Sequence, residues 1–268
     1  MIAGGTAAGV FGSLLGLGGG ILIVPLLTLG FGLDLRQAVG VSLVSVIVTS
    51  GASAGVYLQR HVANLRLGMT LELFTAIGAL IGGLVAFLLS DRVLAGLFAV
   101  LLVYVAATML RRGTADEAVP PAEANPADQP VEDPPFSASL GGPGYAVRNV
   151  GFGAVGSVGA GVVSALLGIG GGLIKVPVMH VVMGVPLRVA TATSNLMIGV
   201  TASASAVIYL LRGEIDPFVA GPIAIGAFVG ASVGSRAAPR IDLRTLRILF
   251  VVVLVYTAVQ MVRRAVGA

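Results

Sequence analysis

The sequence predicts an all-α polytopic membrane protein with about eight hydrophobic segments in two homologous four-segment halves, an inverted repeat whose first segments are broken or re-entrant. Three observations carry that prediction. Hydrophobic residues make up 56% of the 268 residues and charged ones 10%, with a mean hydropathy of +1.01, too little polar surface to coat a water-soluble globule. Residues 37–58, 93–110 and 189–211 carry no charge at all, and about 20 such residues make a helix that crosses a ~30 Å hydrocarbon core. Finally, Leu14-Leu15-Gly16-Leu17-Gly18-Gly19-Gly20-Ile21-Leu22-Ile23-Val24-Pro25 returns as Leu166-Leu167-Gly168-Ile169-Gly170-Gly171-Gly172-Leu173-Ile174-Lys175-Val176-Pro177, an offset of 152 (166 − 14).

The apolar runs are continuous and do not alternate, which excludes a transmembrane β-barrel. The first charge is Asp34; with no basic n-region, the N-terminal stretch is expected to belong to the fold and not to a cleaved leader. The chain has no cysteine, so disulfides, thiolate catalysis and Cys-ligated metals are excluded. A pI near 10.0 comes from arginines at segment ends, a topology signal and not a nucleic-acid surface.

The offset of 152 also pairs Arg36 with Arg188, Ser42 with Ser194, Tyr57 with Tyr209, Arg60 with Arg212, Gly78 with Gly230 and Tyr104 with Tyr256, with no gap. Apolar identities are cheap in a membrane protein; charged and aromatic ones at a fixed offset signal duplication. The first repeat, 1–112, reads as segments 1–33, 37–58, 67–89 and 93–110. The second, 144–268, reads as 146–184, 189–211, 217–236 and 244–262, the last with Arg247 snorkelling to the interface. Between them, 113–143 holds Asp116, Glu117, Glu123, Asp128, Glu132 and Asp133 among prolines, a composition expected to form a flexible acidic linker outside the bilayer.

The uncharged first segment would be roughly 50 Å long as one straight helix, more than a bilayer needs. It is therefore either a discontinuous span, giving four crossings per half and parallel halves, or a re-entrant hairpin, giving three crossings and inverted halves. The hairpin places Arg60, Arg66, Arg111, Arg112, Arg148, Arg188, Arg236, Arg240, Arg244 and Arg247 on the linker face against Arg36, Arg92, Arg212, Arg263 and Arg264, ten to five. Four crossings give eight to seven by the same count. The positive-inside rule favours the inverted repeat, with the linker cytoplasmic.

A glycine run inside an apolar segment starts a short half-helix at membrane depth, and its unbonded N–H groups favour an anion. Two such ends can face each other in an inverted repeat. On this reading Gly18, Gly19 and Gly20 and their mates Gly170, Gly171 and Gly172 line a substrate site; the alternative is that small residues only let helices pack closely. Neither a strand nor a Gly-Lys-Ser/Thr ending follows, so the run is no nucleotide loop.

Lys175 is the one lysine of the chain and stands where the first copy has Ile23. A lone cation at membrane depth is costly and predicts an anion ligand, the alternative being a lysine that snorkels to an interface, and it makes the halves functionally unequal. Ser42, Thr193, Ser194 and Asn195 fall in the first turns of the second and sixth segments, able to complete an oxyanion shell or to bond their own backbone. Thr49 and Thr201 lie deeper as lining candidates. Glu72, near the start of the third segment, reads as interfacial; His180 is the candidate proton carrier, and His61 falls in a loop.

The two glycine blocks with their prolines, followed by Ala38-Val39-Gly40-Val41-Ser42-Leu43, resemble the signature of the sulfite exporter TauE/SafE family, across both halves and everything but the linker. The resemblance implies a prokaryotic inner-membrane permease that moves small sulfur oxyanions or organosulfonates, chiefly outward. A Gly-Thr-Ser-Leu-like family motif reads Ala192-Thr193-Ser194-Asn195 in the second half, a departure from the family pattern, so the motif assigns no particular substrate. The expected function is a secondary transporter of sulfite-like anions, a small-anion channel or a transporter of another carboxylate or oxyanion being the alternatives. No His-Glu-x-x-His and almost no intramembrane carboxylate speak for an enzyme. Lipid and a small anion are the expected partners, nucleic acid is not, a homo-oligomer is compatible, and no cofactor or metal is expected.

Overall fold

The computed structural model describes residues 1–14, 19–59, 63–112, 140–142, 145–237 and 243–266. Gly18, Arg60, His61, Arg240 and the linker residues 113–139 and 143–144 lie outside these, as do the side chains of Ser53, Arg111, Arg112, Arg236, Arg244 and Arg247. Within lipid an unpaired backbone group finds no water, so a spanning chain folds as helix, and the described residues contain helices and no strand.

The first half contains α1 (Ile2–Leu14), α2 (Gly20–Pro25), α3 (Leu35–Gln59), α4 (Leu65–Leu88) and α5 (Asp91–Arg112). The second repeats them as α6 (Val150–Leu167), α7 (Gly172–Pro177), α8 (Leu187–Leu211), α9 (Pro217–Ala237) and α10 (Leu243–Val266). Caps repeat too: Asn64 Oδ1 accepts from Leu67 N at the start of α4 (3.0 Å), and Asp216 Oδ1 accepts from Phe218 N at the start of α9 (2.8 Å). The sequence departs, Asn for Asp, but either oxygen serves the cap.

Each first segment breaks at the glycines. Gly19 stands at φ 78° and Gly171 at φ 76°, left-handed conformations that a side chain would strain, immediately before α2 and α7. Pro25 and Pro177 have no N–H to donate, and a π-helical turn follows each, Leu26–Gly30 and Val178–Val182.

The chain then doubles back. A Cβ on Gly4 would meet Leu26 Cδ2 at 2.7 Å, and one on Gly19 would meet Ala8 O at 3.4 Å, so α1 and α2 run antiparallel. In the second half Gly153 faces Met183, Gly156 faces Val178 and Gly171 faces Ala160, the same pattern. Both first segments are re-entrant hairpins. α6, at 18 residues, is long and apolar enough to cross a membrane by itself, yet it is the outer arm of such a hairpin.

Each hairpin packs on the other half. Gly78 and Gly82 of α4 abut the Val158 and Val162 carbonyls of α6, while Gly161 of α6 abuts the Thr75 carbonyl. At the equivalent contact Gly230 of α9 abuts the Thr6 carbonyl of α1, and Gly9 abuts that of Ala227. Residue numbers rise together along both pairs, so α4 and α6 are parallel, as are α1 and α9; backbones approach this closely only where small residues permit it. Since α1 enters from one face and α6 from the face reached after three crossings, the halves are inverted, as the arginine count predicts.

The longest helices, α3 and α8, cross antiparallel at their midpoints, where Ser50 Oγ donates to Asn195 O (2.6 Å) and a Cβ on Gly199 would meet Ser50 Oγ at 3.0 Å. Around them lies the main core, including Val39, Leu43, Val46, Ile198, Ala202 and Tyr209. Leu140 and Val147 are buried against Leu67, Met179 and Met183 at the linker end, where Asn64 Nδ2 donates to Leu140 O and Tyr145 Oη, both 2.8 Å. At the opposite end Arg36 Nη2 donates to Leu89 O (2.7 Å) and pairs with Asp91 (3.3 Å), while Arg212 stands 5.1 Å from the Phe87 ring centre.

Candidate functional site

The two glycine breaks meet in the middle of the molecule. A Cβ on Gly20 would stand 2.5 Å from Gly168 O and 2.8 Å from Val46 Cγ2; one on Gly170 would stand 2.6 Å from Ile198 Cγ2 and 2.9 Å from Val46 Cγ1. Gly170 thus sits between the midpoints of α3 and α8. Ser42 Oγ donates to Gly168 O (2.7 Å), with Gly20 O at 3.3 Å, so this hydroxyl ties one break to the other.

Next to this junction lies the charged centre. Lys175, on α7 one turn beyond the break, is 1% exposed, and its Nζ is 3.1 Å from Glu72 Oε2. Thr201 Oγ1 of α8 accepts from Lys175 Nζ and is 2.6 Å from Glu72 Oε1, to which it donates. Three elements therefore converge on one neutral cluster: the second hairpin with the cation, α4 of the first half with the carboxylate, and α8 with the bridging hydroxyl.

Glu72 is 7% exposed and not interfacial as the sequence suggests. Its position explains this: it is the eighth residue of α4, about 10 Å in from the helix start, and α4 is covered there by α6. Burying either ion alone would cost several kcal/mol; burying both in contact, with a hydroxyl filling a remaining bond, offsets much of that. Mutual neutralisation also means that Lys175, the predicted anion ligand, is held by an internal anion in this conformation.

Two buried hydroxyls beside this cluster have no partner: Ser164 Oγ, in a fully buried residue of α6, and Ser194 Oγ, in a residue 1% exposed on α8. Ser164 Cβ would be 3.3 Å and Lys175 Cε 3.4 Å from a Cβ on Gly171; Ser194 Oγ would be 3.4 Å from one on Gly172. Buried hydroxyls normally find a bond, so these two stand out as donors left over next to the charged cluster. A side chain on Gly171 would press on Ala160 O and Ser164, and one on Gly172 on Ile198 Cδ1.

The other predicted residues fall elsewhere in the network. Thr193 Oγ1 accepts from Asn64 N (2.9 Å), and Asn195 receives Ser50 through its backbone carbonyl, so both tie helices together. Gly19 and Gly20 line the first break, 152 residues before Gly171 and Gly172. His180 is exposed on the π-helical turn, with Nδ1 2.9 Å from Val185 O, and the structure does not bring it to Lys175. Glu72 and Ser164 are the residues that the motifs miss. The signal for Glu72 is that every other acidic residue among the described ones lies in a loop or at a helix start.

Two apolar grooves of about 450 Å³ flank the hairpins, one lined by Phe11, Pro25, Leu29 and Tyr256, the other by Tyr104, Leu167, Leu173 and Pro177. They lie on mated surfaces and lack charged groups, so neither suits an anion.

The model of the family described as sulfite exporter TauE/SafE matches residues 1–261. The chain belongs to that family. TauE/SafE membership and the apolar helices make it a multi-pass membrane protein of the transporter class, which points away from an enzyme. The chain is also similar to the probable membrane transporter protein YunE of Bacillus subtilis (strain 168), at 26% identity over 267 residues, covering 96% of this chain and 94% of that protein. No solved structure matches this TauE/SafE chain.

Proposed function

We propose that this protein is a secondary transporter, working as an exporter, of small sulfur-containing anions such as sulfite or organosulfonates across a prokaryotic cell membrane, with the linker in the cytoplasm. The substrate class follows the family description. The observation that carries the site assignment is the buried Lys175 ammonium beside two unpartnered hydroxyls, Ser164 and Ser194, at the junction of the breaks. A tetrahedral or pyramidal oxyanion presents several acceptors, matching an ammonium with three donors and two hydroxyls. Gly170, Gly171 and Gly172 let its oxygens come close to backbone, and alternating access follows from rocking of the two interlocked halves about the crossing of α3 and α8.

Flux in proteoliposomes tests the reading, with sulfite, a simple alkanesulfonate and chloride offered with and without a pH gradient. Saturable flux of the sulfur anions that disappears in Lys175→Ala is the expected result. Non-saturable conductance that persists in that variant would make the protein a small-anion channel, and saturation by a carboxylate alone would move the substrate class.

A further inference from the structure

Lys175 cannot serve an incoming anion while Glu72 holds it, and the charges around the pair say what must change. Thr201 donates to one carboxylate oxygen and Lys175 to the other, so the cluster carries no net charge as it stands. A monoanion placed on the ammonium would leave Glu72 ionised beside it, a net charge of minus one inside the bundle with no second cation to answer it. Among the described residues, the elements packed around Glu72 offer none: α6 has no titratable side chain, α7 has only Lys175, and α8 has Arg188 and Arg212 at its two ends and Tyr209, whose hydroxyl donates to Ala165 O. On α4 itself the other charge is Arg66, at the second residue.

We propose that Glu72 is the proton-coupling carboxylate of transport, standing in for the anion on Lys175 when the site is empty and taking up one proton when the anion displaces it. This rests on the transport reading above. The step balances: ammonium and carboxylate plus a monoanion and a proton become an ammonium–anion pair and a carboxylic acid, both states neutral. Anion and proton leave together on the far side, and the carboxylate re-forms its bond to Lys175. Burial favours neutral states over charged ones, so an obligatory one-to-one symport is built into the pair, and His180, exposed on the π-helical turn with its ring at Val185 O, has no part in it.

The probe is methanesulfonate, a strong-acid monoanion, so that any proton that moves belongs to the protein; sulfite runs alongside it. Wild-type protein in liposomes with an internal pH dye is expected to move one proton per methanesulfonate, at a rate indifferent to membrane potential. Glu72→Gln is expected to carry the anion without protons and to become potential-driven, while Glu72→Asp keeps the one-to-one ratio. Wild-type flux of methanesulfonate with no accompanying proton, or proton movement persisting in Glu72→Gln, overturns the coupling role and leaves the transporter reading standing. Absence of saturable flux for both sulfur anions overturns the transport reading and the coupling with it. Should Glu72→Gln fail to fold, the wild-type stoichiometry decides alone.

Discussion

The two hairpins are one design used twice, and they differ at the place where the design meets chemistry. Around the second, Lys175, Glu72 and Thr201 form the polar cluster; at the positions 152 residues away stand Ile23, Ala224 and Thr49. Ile23 is fully buried and Ala224 is 8% exposed, so the first site is closed over by apolar side chains and carries neither charge. Backbone, caps, breaks and the threonine persist, whereas both charges occur once. Cation and carboxylate come from different halves, so neither repeat alone contains the site.

The widest separation between the two sites is expected from Lys175→Ala, which leaves Glu72 buried without its partner, a loss of about 3–5 kcal/mol for such pairs. Saturable anion flux should fall at least about a hundredfold, while Ile23→Ala, its mate, should retain flux and lose only about 2–5 kcal/mol of packing. Equal losses of flux would remove the functional asymmetry. Building the missing charge sharpens the contrast from the other side: Ile23→Lys alone should lower thermal stability in detergent by about 3–5 kcal/mol equivalent, and adding Ala224→Glu should recover part of it. No recovery would mean that the two sites do not superpose closely.

Smaller effects separate the two threonines. Thr201→Val removes the hydroxyl shared by both ions and should cost about 1–3 kcal/mol with roughly tenfold lower flux. Thr49 Oγ1 bonds Val46 O within its own helix, so Thr49→Val should change flux by less than about twofold. Flux through the two variants, normalised to protein in the membrane, checks this. Last, Ser194→Ala deletes a hydroxyl that has no hydrogen-bond partner, so stability should hold within about 0.5 kcal/mol while the half-saturating anion concentration rises severalfold.

Much of this was legible in the sequence, and the unreadable part has a physical cause. The repeat offset, the broken segments and the arginine asymmetry lead to the inverted architecture, because lipid imposes simple rules on length and charge. Lys175 stands out as a cation where its mate is isoleucine. Glu72 does not, because its distance from a helix start says nothing of what covers it, and the covering α6 arrives from the other half. Its partner is 103 residues away, a pairing that depends on the crossed packing of the hairpins. Ser42 and Thr193 show the converse: their sequence positions are right for a site, but neighbouring backbone groups, Gly168 O and Asn64 N, claim their oxygens first.

The crossed packing also sets a schedule for biogenesis. α1 emerges from the ribosome long before the surface it covers, which belongs to α9 and starts at Pro217. At translation rates of 5–20 residues per second, roughly 10–40 s pass before that partner exists. Through that interval a short helix, too short to span the bilayer and paired only with its own return arm, waits at the membrane. The first hairpin therefore gains the close packing of Thr6 on Gly230 only once α9 has been made, well after the first half is complete.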